Sequence, residues 1–314
     1  MHRTRHSLPA VVLVLSLSST AVFASPSLEE QLTQLFVGRS FTIRNFYRSG
    51  HLHYGSDGKL LEKADPGFWS RDGMVQFSSV KLSKDGTLTM QGNRSCIQFE
   101  PEHGEFVNVR TGDKVELEIQ LRPDQVSLET LIPVLQTVLL SSRDRLADLV
   151  PSYWTNCLAR SVSRKDKHSP WECDAEDKAK VPDFDEKNVI WDLPPADTSL
   201  HTGRKRYLLQ HRVAYESRAG LRAPTLLGAA DPFFDWLQQR TNVGEMTLVL
   251  SLTVGEDGKP RDLLIVSPVG LGVDDEAARA VSAWQFKPGL CDGISCPVRA
   301  RVFFDIRPTN GTHF

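Results

Sequence analysis

Gly244-Glu-Met-Thr-Leu-Val-Leu-Ser-Leu-Thr-Val254, followed by Glu256-Asp-Gly-Lys259, decides the fold class of this chain. Met246, Leu248, Leu250, Leu252 and Val254 alternate with Thr247, Ser251 and Thr253, the period of two that sends one strand face into a core and the other towards water. Asp257-Gly258 has the composition of a tight turn, and the apolar run beyond it reads as the returning strand. Ala277, Ala278, Val281 and Trp284 then recur at helical spacing, with Asp274 and Asp275 where negative charge suits a helix N-terminus and Pro288 as the stop. Val298-Arg-Ala-Arg-Val-Phe-Phe-Asp-Ile306 alternates again: Val298, Ala300, Val302, Phe304 and Ile306 face inward, Arg299, Arg301, Phe303 and Asp305 outward. The expectation is an α+β unit, a three-stranded antiparallel sheet with one packed helix, in which Trp284 and Phe286 are core.

Ala223-Pro224, Asp231-Pro232-Phe233-Phe234, Leu250-Ser-Leu-Thr-Val-Gly-Glu-Asp-Gly258, Val273-Asp-Asp-Glu-Ala-Ala278 and Ala283-Trp-Gln-Phe-Lys-Pro-Gly289, taken in that order, resemble the C-terminal domain of TonB proteins. The resemblance covers about the last third of the chain. It implies a periplasmic protein whose last strand pairs with a short extended segment of a partner, an outer-membrane receptor or another periplasmic protein. On that implication Val298, Arg299, Ala300, Arg301, Val302, Phe303 and Phe304 are the candidate partner-binding residues of an edge strand, where main-chain bonds give affinity and side chains selectivity. A covered edge, or a homodimer through this strand, is the alternative. TonB energy transducers also carry a retained membrane helix and a long proline-rich rod. This sequence lacks the rod, which puts force transmission in doubt and leaves peptide docking standing; a transducer with a retained anchor is the second reading.

Residues 1–24 carry His2, Arg3, Arg5 and His6, a short apolar run from Leu8, and Val22-Phe-Ala24 before Ser25, which reads as a secretory signal peptide cut after Ala24. A retained anchor is the rival, and the run falls short of the roughly 20 residues of a spanning helix. The formal charge is −2; without Arg3 and Arg5 the 37 basic residues become 35 against 39 acidic ones, about −4. No nucleic-acid partner is expected from that balance, and Arg204-Lys-Arg206 reads as a solvated connector. An exported compartment permits disulfides. Cys291 and Cys296 flank Asp-Gly-Ile-Ser, and a bridge there would clamp the loop before the last strand; two unpaired thiols are the alternative. Cys157 with Cys173 is the next plausible pair, leaving Cys96 single.

Residues 25–150 read as an N-terminal domain, a small antiparallel sandwich or barrel preceded by a short helix from Leu28 to Phe36. Its turns are marked by Asp57-Gly58, Asp72-Gly73, Asp85-Gly86 and Thr111-Gly112. Leu128, Leu131, Ile132, Leu135, Val138, Leu139, Leu146 and Leu149 recur at three and four, an amphipathic helix, broken near Ser141-Ser142, that closes the domain. Residues 151–212 are expected to be a polar linker and 213–314 the TonB-like domain, although Trp171 and Trp191 suit a segment lying against a folded unit better than a free tether.

No catalytic signature is present: there is no Gly-x-Ser-x-Gly elbow, Gly-rich phosphate loop or His-Glu-x-x-His, so no enzyme, cofactor or metal is expected. His51-Leu-His53 could set two imidazoles on one strand face, but no third ligand is evident. Asp274, Asp275 and Glu276 are assigned to the helix dipole, and no carboxylate pair stands out in an apolar setting. A third function class makes the first domain a carbohydrate- or lipid-binding module, with a pocket lined by Phe46, Tyr47, Tyr54, Phe68 and Trp69.

Overall fold

Asp57-Gly58, Asp85-Gly86 and Asp257-Gly258 turn the chain with glycines at φ 76°, 86° and 75°, and the alternating runs around them become strands. The computed structural model describes residues 26–125, 127–141, 144–158, 184–192, 207–232, 234, 236–237 and 244–308. The expected signal segment, Trp171, Cys173 and Arg204 to Arg206 lie outside the described residues.

In the N-terminal unit, α1 (Leu28–Phe36) starts in a capping box: the Ser27 hydroxyl accepts from Glu30 N–H, and the Glu30 carboxylate accepts from Ser27 N–H. Strands β1 (Ser40–Thr42) and β2 (His51–Tyr54) follow, then α2 (Trp69–Asp72), β3 (Met74–Leu82), β4 (Thr87–Glu100), β5 (Glu105–Gln120) and α3 (Leu128–Val138). The strands form one sheet in the order β1-β3-β4-β5-β2 rather than an antiparallel sandwich or barrel, and β2 runs parallel to β5. The β3-β4-β5 meander occupies both sides of β4, so β2, made earlier in the chain, is added at the far edge of β5. Helices α1 and α3 cover one sheet face, where Leu32, Phe36, Leu131 and Leu135 pack on Phe77, Leu88, Met90 and Leu117. Asp72-Gly73 is not a hairpin turn. The Asp72 carboxylate accepts from Phe68 N–H at 2.9 Å and closes the helical turn α2, with Gly73 at φ −73°.

After a 3-10 turn at Ser152–Trp154, the chain forms α4 (Thr155–Leu158), β6 (Val189–Asp192), β7 (Tyr207–Glu216), β8 (Leu221–Arg222), β9 (Thr225–Gly228), β10 (Met246–Val254) and β11 (Pro260–Ser267). It ends with α5 (Val273–Ser282), β12 (Gln285–Lys287), β13 (Gly289–Cys291), β14 (Ile294–Cys296) and β15 (Val298–Pro308). The main sheet has five strands, β11-β10-β15-β7-β6, where three were expected. The two extra strands come from residues 189–192 and 207–216, within or running out of the stretch read as linker. Helix α5 ends at Ser282, before Pro288, because the chain turns into β12 to pair with β9. Trp284 lies just past the helix, 1 % exposed, with Nε1 donating to the Ala230 carbonyl at 3.0 Å, and Phe286 is buried beside it, both core as expected. Cys291 and Cys296 are joined across the β13-β14 hairpin.

The two units share one hydrophobic core. The second face of the N-terminal sheet, with Trp69, Cys96, Ile97 and Phe106, is continuous with Val269, Leu271, Val273 and the inner face of the C-terminal sheet through Trp154 and Cys157.

Candidate protein-docking edge

Strand β15 is interior. On one side it pairs with β10 from Val254↔Val298 to Met246↔Ile306, and on the other with β7 from Ala300↔Tyr215 to Pro308↔Tyr207. From Ala300 onward this strand therefore has no free edge: the backbone expected to be open to a guest or a second copy is paired within the chain on both sides. Alternation reports which faces a strand presents and is silent about its neighbours in the plane of the sheet. The facing itself is as expected: Val298, Ala300, Val302 and Phe304 are buried inward, while Arg299 pairs with Glu216 at 2.9 Å and Arg301 with Glu186 on the outer face.

The place beside β15 that the TonB resemblance reserves for a partner is thus filled by β7, and among the described residues β6 is the outermost strand on that side. It aligns only four residue pairs with β7, Val189↔Glu216 to Asp192↔Val213, against nine between β7 and β15. Side chains supply most of its anchorage. The Trp191 ring lies 5.5 Å from Phe303, and the Arg212 guanidinium covers both rings at 5.2 and 4.8 Å. Asp192 Oδ2 accepts from Tyr215 Oη at 3.3 Å and from Leu226 N–H at 3.1 Å. Upstream, Glu186 pairs with Arg301 and the Phe184 ring sits under the same guanidinium at 4.8 Å, so Phe184 and Val189 close the small apolar patch of Ala214, Val249 and Phe303. Ile190 and Trp191 nevertheless remain 37 % and 41 % exposed. Two of the seven candidate residues do contact another segment, Arg301 the turn at Phe184 and Glu186 and Phe303 the strand at Trp191, but through side chains and with the chain's own residues.

The opposite end of the sheet is closed differently. The Ser152–Trp154 turn and α4 lie against β11, with Cys157 Sγ 3.7 Å from the Ile265 carbonyl. Asp275, 1 % exposed, accepts at Oδ1 from Trp154 Nε1 at 2.9 Å and from Tyr153 Oη at 3.0 Å. Asp274, fully buried, accepts from the Val269 and Gly270 N–H groups at 2.8 and 2.6 Å. The loop so held joins β4 of the N-terminal unit: Leu271 N–H donates to the Ile97 carbonyl at 2.6 Å, and Phe99 N–H to the Val269 carbonyl at 2.8 Å. Gly270, at φ 83°, has room for no Cβ, which would stand 2.1 Å from the Ile97 carbonyl oxygen. Burial pushes the Asp274 carboxyl up to about 8 and the Asp275 carboxyl up to about 6, against the donors that favour their charged forms. The helix-dipole assignment is incomplete: these acids sit in the first turn of α5 as expected, and Asp274 and Asp275 also fasten a domain interface as the carboxylate pair in an apolar setting that the sequence reading did not single out. The clue in the sequence was their place directly after Gly270-Leu-Gly272, where a loop with two left-handed glycines needs side-chain acceptors.

Other predicted residues are scattered. His51 lies 3.3 Å from Glu116, and His53 lies 3.1 and 3.2 Å from Glu62 and Glu118; all but Glu62, which is in the loop after β2, are on the N-terminal sheet. A cavity of about 370 Å³ beside α3 is lined by Tyr47 and Tyr54 together with Arg44, Lys59 and Thr137. Phe46 and Trp69, expected in such a pocket, are instead buried in the shared core, and Phe68 lies under Arg48.

Residues 240–306 match the family described as the Gram-negative bacterial TonB protein C-terminal. The matched span runs from just before β10 into β15, so it takes in α5, the three strands β11-β10-β15 and the disulfide hairpin, and excludes β6, β7 and the whole N-terminal unit. It identifies the C-terminal unit as TonB-like. No curated protein matches the chain.

Proposed function

We propose that this chain is an exported cell-envelope protein whose TonB-like unit docks a protein partner, an outer-membrane receptor or another periplasmic protein, through the β7/β6 side of its main sheet. The observation that carries this reading is the composition of that sheet. The matched three-stranded core is extended by β7 on the strand that pairs with partners in TonB-like domains, so an incoming extended segment meets β7 and the short β6 rather than β15. Arg212, Arg301 and Phe303 supply that side with cationic and aromatic groups suited to a peptide, the last two covered by residues 184–191 of the chain itself. Periplasmic placement is supported by the TonB-like match and by a disulfide in the β13-β14 hairpin. The reading is of a binding protein: Asp274 and Asp275, whose carboxyls burial raises, are engaged by the Val269, Gly270, Tyr153 and Trp154 donors between the units. Among the described residues no helix is long and apolar enough to cross a membrane.

In-cell photocrosslinking tests this. A benzophenone amino acid at Leu208, 44 % exposed on β7, is expected to give an adduct with an envelope protein, whereas the same probe at Leu61, 67 % exposed on the N-terminal unit, is not. Equal adducts from both positions, or none from Leu208, would overturn the docking edge.

A further inference from the structure

The edge beside β7 is already taken by β6, and the turn that leads into it, closed by Asn188 N–H on the Asp185 carbonyl at 3.0 Å, lays Phe184 and Glu186 on Arg301; these contacts describe what the site accepts. We infer that residues 184–192 are an internal occupant of the docking edge, and that the partner segment that replaces them is acidic, a turn running into a short extended stretch with an aromatic residue immediately before a carboxylate. This deepens the docking reading and rests on it.

Three features support replaceability. The ladder is short, four aligned pairs. The two residues with the largest apolar side chains in β6, Ile190 and Trp191, leave over a third of their surface in water, so burial holds the strand weakly. The contacts are with side chains that belong to stable strands: Arg212 and Tyr215 on β7, Arg301 and Phe303 on β15. Those groups stay in place when the segment leaves, which makes a preformed site.

The chemistry of the guest follows from the same contacts. The aromatic position stacks on Phe303 beneath Arg212, and the carboxylate after it takes the Leu226 N–H and the Tyr215 hydroxyl. A second acid further toward the N-terminus meets Arg301, as Glu186 does. The segment itself carries Asp185, Glu186 and Asp192 against Lys187, a net −2, opposite Arg212 and Arg301. A peptide with lysine or arginine in place of the acids would face like charges there.

The probe is the synthetic nonapeptide with the sequence of residues 184–192, titrated by NMR into two full mature chains: the natural one and one with 184–192 replaced by glycine and serine. A tethered segment competes at an effective concentration on the order of millimolar. The replaced chain is therefore expected to bind at least about tenfold more tightly than the natural chain, with shifts at Arg212, Tyr215, Leu226 and Phe303, and to lose binding when the peptide carries alanine at the Trp191 or Asp192 position. Equal affinity for both chains overturns the inference. So does absence of binding to a replaced chain whose circular dichroism and melting are unchanged, and so does a concentration-dependent dimer of the natural chain that the replacement abolishes, which would make the segment a contact between copies. Because the measurement uses purified components, it fails or succeeds independently of the crosslink at Leu208: peptide binding without an envelope adduct would leave the site and remove the proposed partner class.

Discussion

Two tryptophans held by neighbouring arms of the same chain mark opposite sides of the C-terminal sheet. Trp154 is fully buried, donates to a buried carboxylate at 2.9 Å, and meets Trp69 edge-on at 5.0 Å. Trp191 leaves 41 % of its surface in water and rests on one phenylalanine and one arginine. Both cap a sheet that would otherwise present backbone or apolar surface to solvent. The Trp154 contact joins two units into one core. The Trp191 contact covers Phe303 and Arg212 from the edge of the sheet and leaves much of its own ring in water. A capping segment is structural when its loss opens a cavity and strands buried polar groups, and exchangeable when its loss returns exposed side chains to water.

Truncating each tryptophan should separate these two cases, with the larger loss at the interface. Trp154→Ala removes a fully buried indole and leaves Asp275 without one donor, which should cost about 4 kcal/mol and lower the melting temperature by on the order of 10 °C, measured by calorimetry. A loss no larger than that of an exposed residue would mean that the units do not share a core. The interface should also respond to pH. Asp275 is raised from 3.8 to about 6 by burial, with Asp72 adding to the rise and the Trp154 and Tyr153 donors opposing it. The unfolded chain releases this proton at lower pH than the folded chain. The stabilising contribution is therefore complete below about 4 and lost as the pH rises through about 6. Asp275→Asn keeps an acceptor for both donors and cannot ionise, so it should stabilise the protein by about 2 kcal/mol at pH 8 and leave it near the natural value at pH 4. Parallel melting curves at the two pH values would refute it. Trp191→Ala should cost less than about 1 kcal/mol, shifting the melting temperature by about 2 °C or less. A larger shift would class β6 with the structural contacts and remove its exchangeable role.

Much of the C-terminal unit was legible from the order of its residues. Five alternating apolar positions in β10 and five in β15 name the inner face of each strand, Asp257-Gly258 names the turn, and Trp284 and Phe286 are buried where their spacing puts them. The disulfide was legible as a short loop between two cysteines in an exported chain. Residues 207–216 were harder to place. Leu208 and Leu209 stand side by side, and Gln210, His211 and Arg212 interrupt the run, so β7 lacks the clean alternation of β10 even though it completes the same sheet. Of the segment 184–192, charged at Asp185, Glu186, Lys187 and Asp192, only Val189–Asp192 becomes a strand, and it does so where β7 offers it a partner.

Periodicity, turn chemistry and cysteine spacing by themselves determined which faces are apolar, where the chain reverses and what family the last unit resembles, because those properties are local or repeat within a few residues. Only the tertiary structure decided that β15 is interior, that Asp274 and Asp275 fasten two units together, and that the chain supplies its own occupant for the outer edge. Each of these depends on which distant segment comes to lie alongside, and backbone hydrogen-bonding groups, identical in almost every residue, carry no mark of their eventual partner.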